Sequence, residues 1–150
     1  MTANSAIADW HRIWVSIRQH GWTSLALLPT HGGLNVLRLA ETLAATGRLQ
    51  GQRPVTVIDG TGARLEAVGR LLESIDDAVE RGAWVVVPVD ALADNPTSIA
   101  IVQGTSAVLL IVRLGESSLG TARDILETVG RDRFLGSVVL DEASGAILEQ

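Results

Sequence analysis

One short segment, residues 29–34, combines residue types and a position that could bind phosphate. It follows a short apolar run and precedes a helical repeat of apolar residues, so we expect it to connect a strand to a helix. In such a turn, backbone amides beside glycines can surround the oxygens of a phosphate group. The candidate phosphate loop consists of Pro29, Thr30, His31, Gly32, Gly33 and Leu34.

The phosphate loop lacks the side chains that nucleotide chemistry uses beside backbone amides. A lysine normally neutralises the phosphates, and a serine or threonine at the start of the helix holds magnesium. The chain has no lysine, and all 12 of its basic residues are arginine. It also has no cysteine and no tyrosine, which excludes a thiolate metal site, a disulfide framework and chemistry at a tyrosine hydroxyl. Its three histidines lie in separate predicted elements without zinc spacing, so we expect no metal site.

Asp59 is the acidic residue best placed for chemistry. It ends a β-branched run, residues 55–58, and precedes the turn Gly60-Thr61-Gly62. A carboxylate at the end of a strand can orient water in a nucleotide site, or it can cap the turn that follows. Because the chain offers no lysine or clear magnesium ligand nearby, the sequence favours the capping role.

Five apolar runs alternate with helical repeats along the chain. The helical repeats carry apolar residues at spacings of three and four, and Gly47 fits the end of the second of them. Strands that are apolar on both faces and separated by helices are typical of a parallel sheet covered on both sides. We therefore predict an α/β, three-layer sandwich with a mostly parallel sheet of about five strands and a short tail.

Ligands of such sheets bind beyond the carboxyl ends of the strands. These positions are the loops after Leu28, Ile58, Val87, Val112 and Leu140. In the loop after Val87, Asn95 and Pro96 are typical of a helix start, with Asn95 as the N-cap.

Length and composition limit the number of domains, the kinds of partner and the location that can be expected. The 150 residues are 47% apolar, which suits one domain over residues 1–150 with a substantial core. The net charge of −5 argues against a nucleic-acid partner, since phosphate backbones are bound by basic surfaces. No uncharged apolar run reaches the roughly 18 residues that span a membrane. Residues 1–9 lack the pattern of a signal peptide, so a cytoplasmic location is expected.

The first predicted helix carries a candidate interface made of tryptophan and arginine. Both residue types are common among the residues that contribute most to protein binding. The same tryptophans lie on a helical face that could instead pack on the sheet, and the sequence leaves both interpretations open. The candidate interface residues are Trp10, Arg12, Trp14 and Arg18.

The order of these segments resembles the cytoplasmic domain of the bacterial tyrosine kinases that partner polysaccharide co-polymerases. These kinases belong to the deviant-Walker ATPases, with the septum-site and partitioning proteins. Their phosphate loop, of the type S-x-P-G-E-G-K-S-T, precedes a helix with N-L-A-x-x-L-A. Here Pro29, one glycine and the helix segment 38–44 match. Residues 57–59 resemble a second motif, L-L-I-D-A-D, and residues 84–90 a third, V-I-I-D-T-P-P. The resemblance covers about residues 7–141.

The departures from the family pattern bear on activity. In the alignment, Gly33 stands at the lysine, Leu34 at the magnesium-binding serine or threonine, and Pro88 at the aspartate of the third motif. The tyrosine cluster that these kinases phosphorylate cannot exist here. The resemblance therefore implies a P-loop fold with a degenerate phosphate loop and a non-catalytic pseudoenzyme, with no catalytic residue and no cofactor.

The resemblance also implies a cellular context. It is that of a scaffold or regulatory subunit in a bacterial exopolysaccharide synthesis or export complex, recruited to the inner membrane. The implied partners are a polysaccharide co-polymerase or synthase subunit and further copies of the chain. An arginine-containing helix contributes to subunit contacts in that family, and Arg12 is the residue that matches it.

Two alternatives stay open at the level of sequence. One is an active or nucleotide-binding ATPase or kinase with an unorthodox site, completed by a basic residue from another chain. The other is a partitioning-type protein whose assembly depends on nucleotide.

Overall fold

Continuous apolar runs form the central strands of one six-stranded sheet. The computed structural model describes residues 3–113, 115, 119–141 and 145–149. The strands follow the order β2-β3-β1-β4-β5-β6 across the sheet. Their bounds are β1 Ser24–Pro29, β2 Val55–Val57, β3 Trp84–Pro88, β4 Ala107–Arg113, β5 Phe134–Asp141 and β6 Gly145–Glu149.

The first five strands run parallel, as the sequence predicts. β1 lies between β3 and β4, with Leu27 opposite Pro88 on one side and Leu109 on the other. The sixth strand, β6, pairs antiparallel with β5 and lies where the sequence predicts only a short tail. The mostly parallel α/β sheet is thus confirmed, with one additional edge strand.

Helices cover both faces of the sheet and complete three layers. α1 and α2 pack on one face, and α3, α4 and α5 pack on the other. Within β1, Leu25 and Leu27 face the first layer, whereas Ala26 and Leu28 face the second. The helices are α1 Ala3–Arg18, α2 Val36–Leu49, α3 Val68–Glu80, α4 Ser98–Gln103 and α5 Leu119–Val129, with 3₁₀ turns at Leu65–Ala67 and Arg131–Arg133.

None of the helices described is both long enough and apolar enough to cross a membrane.

Trp14 belongs to the core, which corrects its prediction as an interface residue. Only 2% of its surface is exposed. Its ring centre lies 5.8 Å from that of Trp22 and 5.6 Å from that of Trp84, both in edge-on geometry. Edge-on aromatic pairs add stability beyond their apolar burial. The other interpretation that the sequence left open, packing of the helix on the sheet, holds for this residue.

Gly47 allows helix α2 to approach the Trp14 ring closely. The helix continues through Gly47 to Leu49, so this glycine does not end the helix as expected. A Cβ atom at position 47 would lie 2.6 Å from two carbon atoms of the Trp14 indole, closer than carbon atoms approach one another. The missing side chain therefore makes room for the tryptophan, and the contact joins α1 to α2.

We expect Gly47→Ala to destabilise the protein by about 1–3 kcal/mol, because the added methyl group overpacks the core. The measurement is urea unfolding followed by tryptophan fluorescence. Gly69→Ala is the matched control: Gly69 also lies in a helix, but nothing lies within 4 Å of its Cβ position. That control should be neutral or stabilising by up to about 1 kcal/mol. Equal effects of the two substitutions would contradict the packing argument.

Candidate functional site

The carboxyl ends of β1, β2 and β3 lie side by side and carry three of the loops expected to hold a ligand. The chain leaves β1 at Thr30, whose backbone N–H donates to the Ile111 carbonyl of β4 over 3.0 Å. It leaves β2 toward Asp59 and β3 toward Asp90. In the loops after β4 and β5, residues 114, 116–118 and 142–144 lie outside the described part of the chain.

The candidate phosphate loop is a real connection between β1 and α2. Pro29 and Thr30 are buried, whereas Gly32 and Gly33 are exposed. His31 Nδ1 lies 3.2 Å from the Thr30 hydroxyl oxygen. Gly33 has a φ angle of 86°, a left-handed conformation that glycine adopts without strain. The loop therefore has the shape of a tight turn with two glycines at its outer part.

Helix α2 begins later than a phosphate-binding alignment requires. Its first residue is Val36, and the Asn35 side chain caps it by accepting a hydrogen bond of 3.1 Å from the Arg38 backbone N–H. Leu34, aligned with the magnesium-binding residue, is half-buried and packs against the core between α1, α2 and the sheet. The two aligned positions thus present a glycine and an apolar side chain, neither of which can neutralise phosphate or hold magnesium.

An acidic side chain lies against the phosphate loop. The Asp94 carboxylate, from the loop between β3 and α4, sits so close to Gly32 that a Cβ atom there would collide with it. Asp94 itself is exposed. A phosphate bound at this turn would lie close to the negative charge of Asp94.

Asp59 caps the turn that follows β2. One of its carboxylate oxygens accepts hydrogen bonds from the Thr61 backbone N–H over 2.9 Å and from the Thr61 hydroxyl over 2.6 Å. This Asx-type arrangement is common in turns. Of the two roles expected for Asp59, the geometry displays turn capping.

Asp90 joins the loops after β2 and β3, a role that the sequence did not reveal. Its carboxylate accepts hydrogen bonds from the Gly62 backbone N–H over 2.7 Å and from Asn95 Nδ2 over 3.1 Å. Asn95 Nδ2 also donates to the Ala63 carbonyl over 3.0 Å. The only hint in the sequence is an acidic residue just after a buried strand, because its partner Gly62 lies 28 positions away.

Asn95 and Pro88 are two further residues at this edge of the sheet. α4 itself begins at Ser98, and Asn95 caps the turn that leads into it: its Oδ1 accepts a hydrogen bond from the Thr97 backbone N–H over 3.2 Å, and its carbonyl accepts one from the Ser98 backbone N–H over 3.1 Å. Pro88 is the buried last residue of β3, and its carbonyl accepts a bond of 2.9 Å from the Gly60 backbone N–H. The third-motif position therefore contributes a backbone oxygen to a neighbouring turn.

The acidic residues of this edge do not converge on one point. Within the described ranges, no three histidine or acidic side chains are grouped as a metal ion would need. Asp59 and Asp90 are each committed to backbone groups of the same turn. Asp59 and Asp90 thus hold the turn after β2 beside the loop after β3.

The four candidate interface residues of α1 do not form one surface. Arg12 is exposed and pairs with Asp9 at 2.5 Å, whereas Trp10 is partly buried against the core. Trp14 lies inside, as described above. Arg18 lies over the Trp84 ring, with its guanidinium carbon 3.6 Å from the ring centre.

Comparison with known proteins supports the fold. No protein-family model and no curated protein matches the sequence. The kinase domain of the Escherichia coli tyrosine kinase ETK has a similar structure, with a TM-score of 0.76 and 12% identity over 89% of this chain and 74% of that chain. The chimerical protein CapA2B2 gives 0.73 and 11% identity over 93% and 90% of the two chains. The BceF tyrosine kinase domain gives 0.69 and 12% identity over 89% and 76%.

At 11–12% identity, these likenesses establish a shared fold. The chain has the α/β fold of bacterial tyrosine kinase domains, as the order of its motifs predicts. The identity of the side chains at the phosphate loop comes from this chain alone.

We expect Asp90→Ala to destabilise the protein by about 1–2 kcal/mol, because it leaves two hydrogen-bond donors without their acceptor. Urea unfolding is the measurement. Asp94→Ala removes the same charge from the same loop, but the Asp94 side chain has no hydrogen bond to a described residue. That control should change stability by less than about 0.5 kcal/mol. A larger loss for Asp94→Ala than for Asp90→Ala would refute the role assigned to Asp90.

Proposed function

We propose that this chain is a non-catalytic, P-loop-like domain that serves as a scaffold or regulatory subunit. The observation that carries the proposal is the phosphate loop itself. Where a triphosphate would need a cation and a metal ligand, the loop presents Gly33, the core-packed Leu34 and the nearby carboxylate of Asp94.

The proposal depends on the positive charge that phosphoryl transfer needs at the phosphate site. Enzymes that transfer phosphoryl groups act mainly by positioning the nucleotide and stabilising its negative charge with lysine, arginine and magnesium. The chain has no lysine, and Asp59 is occupied by its own turn. Pro88 replaces the acid expected at the end of β3. The missing groups would act on the same phosphates, so their losses reinforce one another.

The cellular setting of the proposal comes from the resemblance in sequence. We propose that residues 1–150 form one pseudo-ATPase domain in a bacterial exopolysaccharide synthesis or export complex. Its partners would be an inner-membrane polysaccharide co-polymerase or synthase subunit and other copies of itself. The similar folds of the ETK and BceF kinase domains are consistent with this setting.

Isothermal titration of the purified protein with ATP and magnesium tests the proposal. We expect no binding, because the loop offers neither cation nor magnesium ligand. Asp94→Ala should also fail to bind, since removing the acid does not supply the missing groups. Micromolar binding by the unaltered chain that is lost in Asp59→Ala would instead establish a nucleotide site and overturn the proposal.

Activity can be tested separately on an added substrate. Because the chain contains no tyrosine, any phosphotyrosine formed with a glutamate–tyrosine copolymer must lie on the copolymer. We expect none, with an active bacterial tyrosine kinase domain as the positive control. Light scattering with and without ATP covers the partitioning alternative, which predicts assembly only with nucleotide; the scaffold predicts identical scattering in both.

A further inference from the structure

Three arginines meet at the end of the sheet where the strands begin. The guanidinium carbons of Arg18 and Arg53 lie 3.6 Å and 5.0 Å from the ring centre of Trp84, the first residue of β3. Arg48, near the end of α2, donates from Nε to the Val55 carbonyl over 2.9 Å. Because Val55 pairs with Trp84 in the sheet, all three arginines surround the same short stretch of β2 and β3.

Two exposed apolar side chains lie beside these arginines. Leu49 follows Arg48 as the last residue of α2 and is 76% exposed. Val15 is 51% exposed and lies one helical turn after His11, whose Nδ1 is 3.1 Å from Gln50 Nε2. Val15 therefore belongs to the side of α1 that meets the end of α2. We call the following residues together the basic patch: Arg18, Arg48, Arg53, Val15 and Leu49.

Acidic residues are scarce around the basic patch. Residues 10–58, which include most of α1 and all of β1, α2 and β2, contain five arginines and one acid, Glu41. Glu41 lies about two helical turns before Arg48 in α2. Among the residues that the structure describes, no carboxylate lies within ion-pair distance of the three arginines of the patch. Desolvation lowers the pKa of Arg18, and the adjacent charge of Arg53 lowers it further.

Much of the negative charge of the chain lies in the other layer of helices. Helix α3, which packs on the opposite face of the sheet, and the residue after it carry four acids and two arginines: Glu73, Asp76, Asp77, Glu80, Arg70 and Arg81. Glu80 and Arg81 come closest to Trp84 along the chain, and their charges cancel. A protein with a net charge of −5 thus has one locally positive surface, at one end of its first helical layer.

We propose that the basic patch binds the surface of a bilayer that contains anionic phospholipids. Each arginine near such a surface increases the affinity by about fivefold. Leu49 and Val15 would enter the boundary between headgroups and acyl chains, where their exposed side chains leave water. The apolar side chains favour a lipid surface over a nucleic acid, which would use the arginines alone.

The distribution of charge also gives the bound domain one orientation. An anionic surface attracts the basic patch and repels the acidic layer that contains α3. The beginnings of the strands then face the lipid, and the phosphate loop faces away from it. This contact goes beyond the scaffold role, because it needs neither nucleotide nor a protein partner.

Sedimentation with vesicles tests the contact. We expect the unaltered chain to bind vesicles of phosphatidylcholine with about 30% phosphatidylglycerol, to be released by high salt, and to ignore phosphatidylcholine alone. Arg53→Glu should weaken binding by about tenfold or more. Arg123→Glu is the matched control, since Arg123 is exposed on α5 and outside the basic patch. It should bind like the unaltered chain.

Three outcomes of this experiment would overturn the lipid contact. The first is an unaltered chain that stays in solution at low salt, even if an acidic protein binds it. The second is equal binding to both kinds of vesicle. The third is an equal loss in the two variants, which would make net charge the cause. Far-UV circular dichroism and melting temperature verify that each variant is folded.

A dye at a single position tests the orientation. The chain has no cysteine, so one introduced cysteine can carry a polarity-sensitive fluorophore. Leu49 precedes β2 and Leu65 follows it, and they are 76% and 70% exposed. On anionic vesicles, the emission of labelled Leu49→Cys should shift to the blue, whereas that of labelled Leu65→Cys should stay unchanged. The opposite pattern, or no shift at either position, would refute the proposed contact.

Failure of this contact and failure of the proposed function are distinguishable. A chain that binds neither vesicles nor nucleotide would overturn the lipid contact and leave the non-catalytic assignment standing. Micromolar ATP binding by a chain that passes both vesicle tests would do the reverse.

Discussion

The close approach of the Trp14 indole to the backbone of Gly47 is the contact on which the first helical layer depends. It fixes α1 against α2, and the same indole meets Trp22 and Trp84 edge-on. With α1 held in this position, its last residue, Arg18, is carried over the Trp84 ring. A packing constraint in the core thereby determines where the chain exposes positive charge, because an arginine can stack on an aromatic face only where the backbone brings it there.

At the opposite end of the strands, the turn after β1 and the loops after β2 and β3 occupy the edge of the sheet at which parallel sheets bind ligands. β1 still leads through a glycine-containing turn into a capped helix, and the loops after β2 and β3 are still ordered. Several side chains of these loops have structural roles. Leu34 packs against the core, Asp59 closes its own turn and Asp90 links two loops. These contacts tie the loops to one another and to the core.

Sequence reasoning succeeded where the physical signal is local and repeated. The five parallel strands are continuous apolar runs, and the helices repeat apolar residues at their natural period, so the three-layer α/β fold could be predicted. It missed β6, a short strand after the last helix whose pairing depends on an existing β5 edge. Gly47 resembled a helix end because glycine normally destabilises the interior of a helix. Only the closely packed Trp14 ring explains why a glycine lies inside α2.

In the candidate site, too, the local features could be predicted and the contacts between distant segments could not. The positions of the phosphate loop and Asp59 follow from strand ends, which a sequence marks clearly. The role of Asp90 depends on Gly62, and the convergence of Arg18 and Arg53 on Trp84 joins three distant segments. Contacts between segments that are distant along the chain produce no periodic pattern in the sequence. Trp14 illustrates the remaining ambiguity: a tryptophan on a helical face is equally suited to a core and to an interface until the opposite surface is known.

The three-residue strand β2 has a consequence for how copies of this chain can meet. β2 forms one border of the sheet, and Pro54, which has no backbone N–H, stands directly before it. So short a border exposes few unpaired backbone groups, and natural proteins use such brevity to prevent neighbouring molecules from extending a sheet. Continuous intermolecular sheets, and the aggregation that accompanies them, are thus disfavoured at this border. Any ordered association on this side of the molecule therefore has to be made by side-chain contacts rather than by pairing of strands.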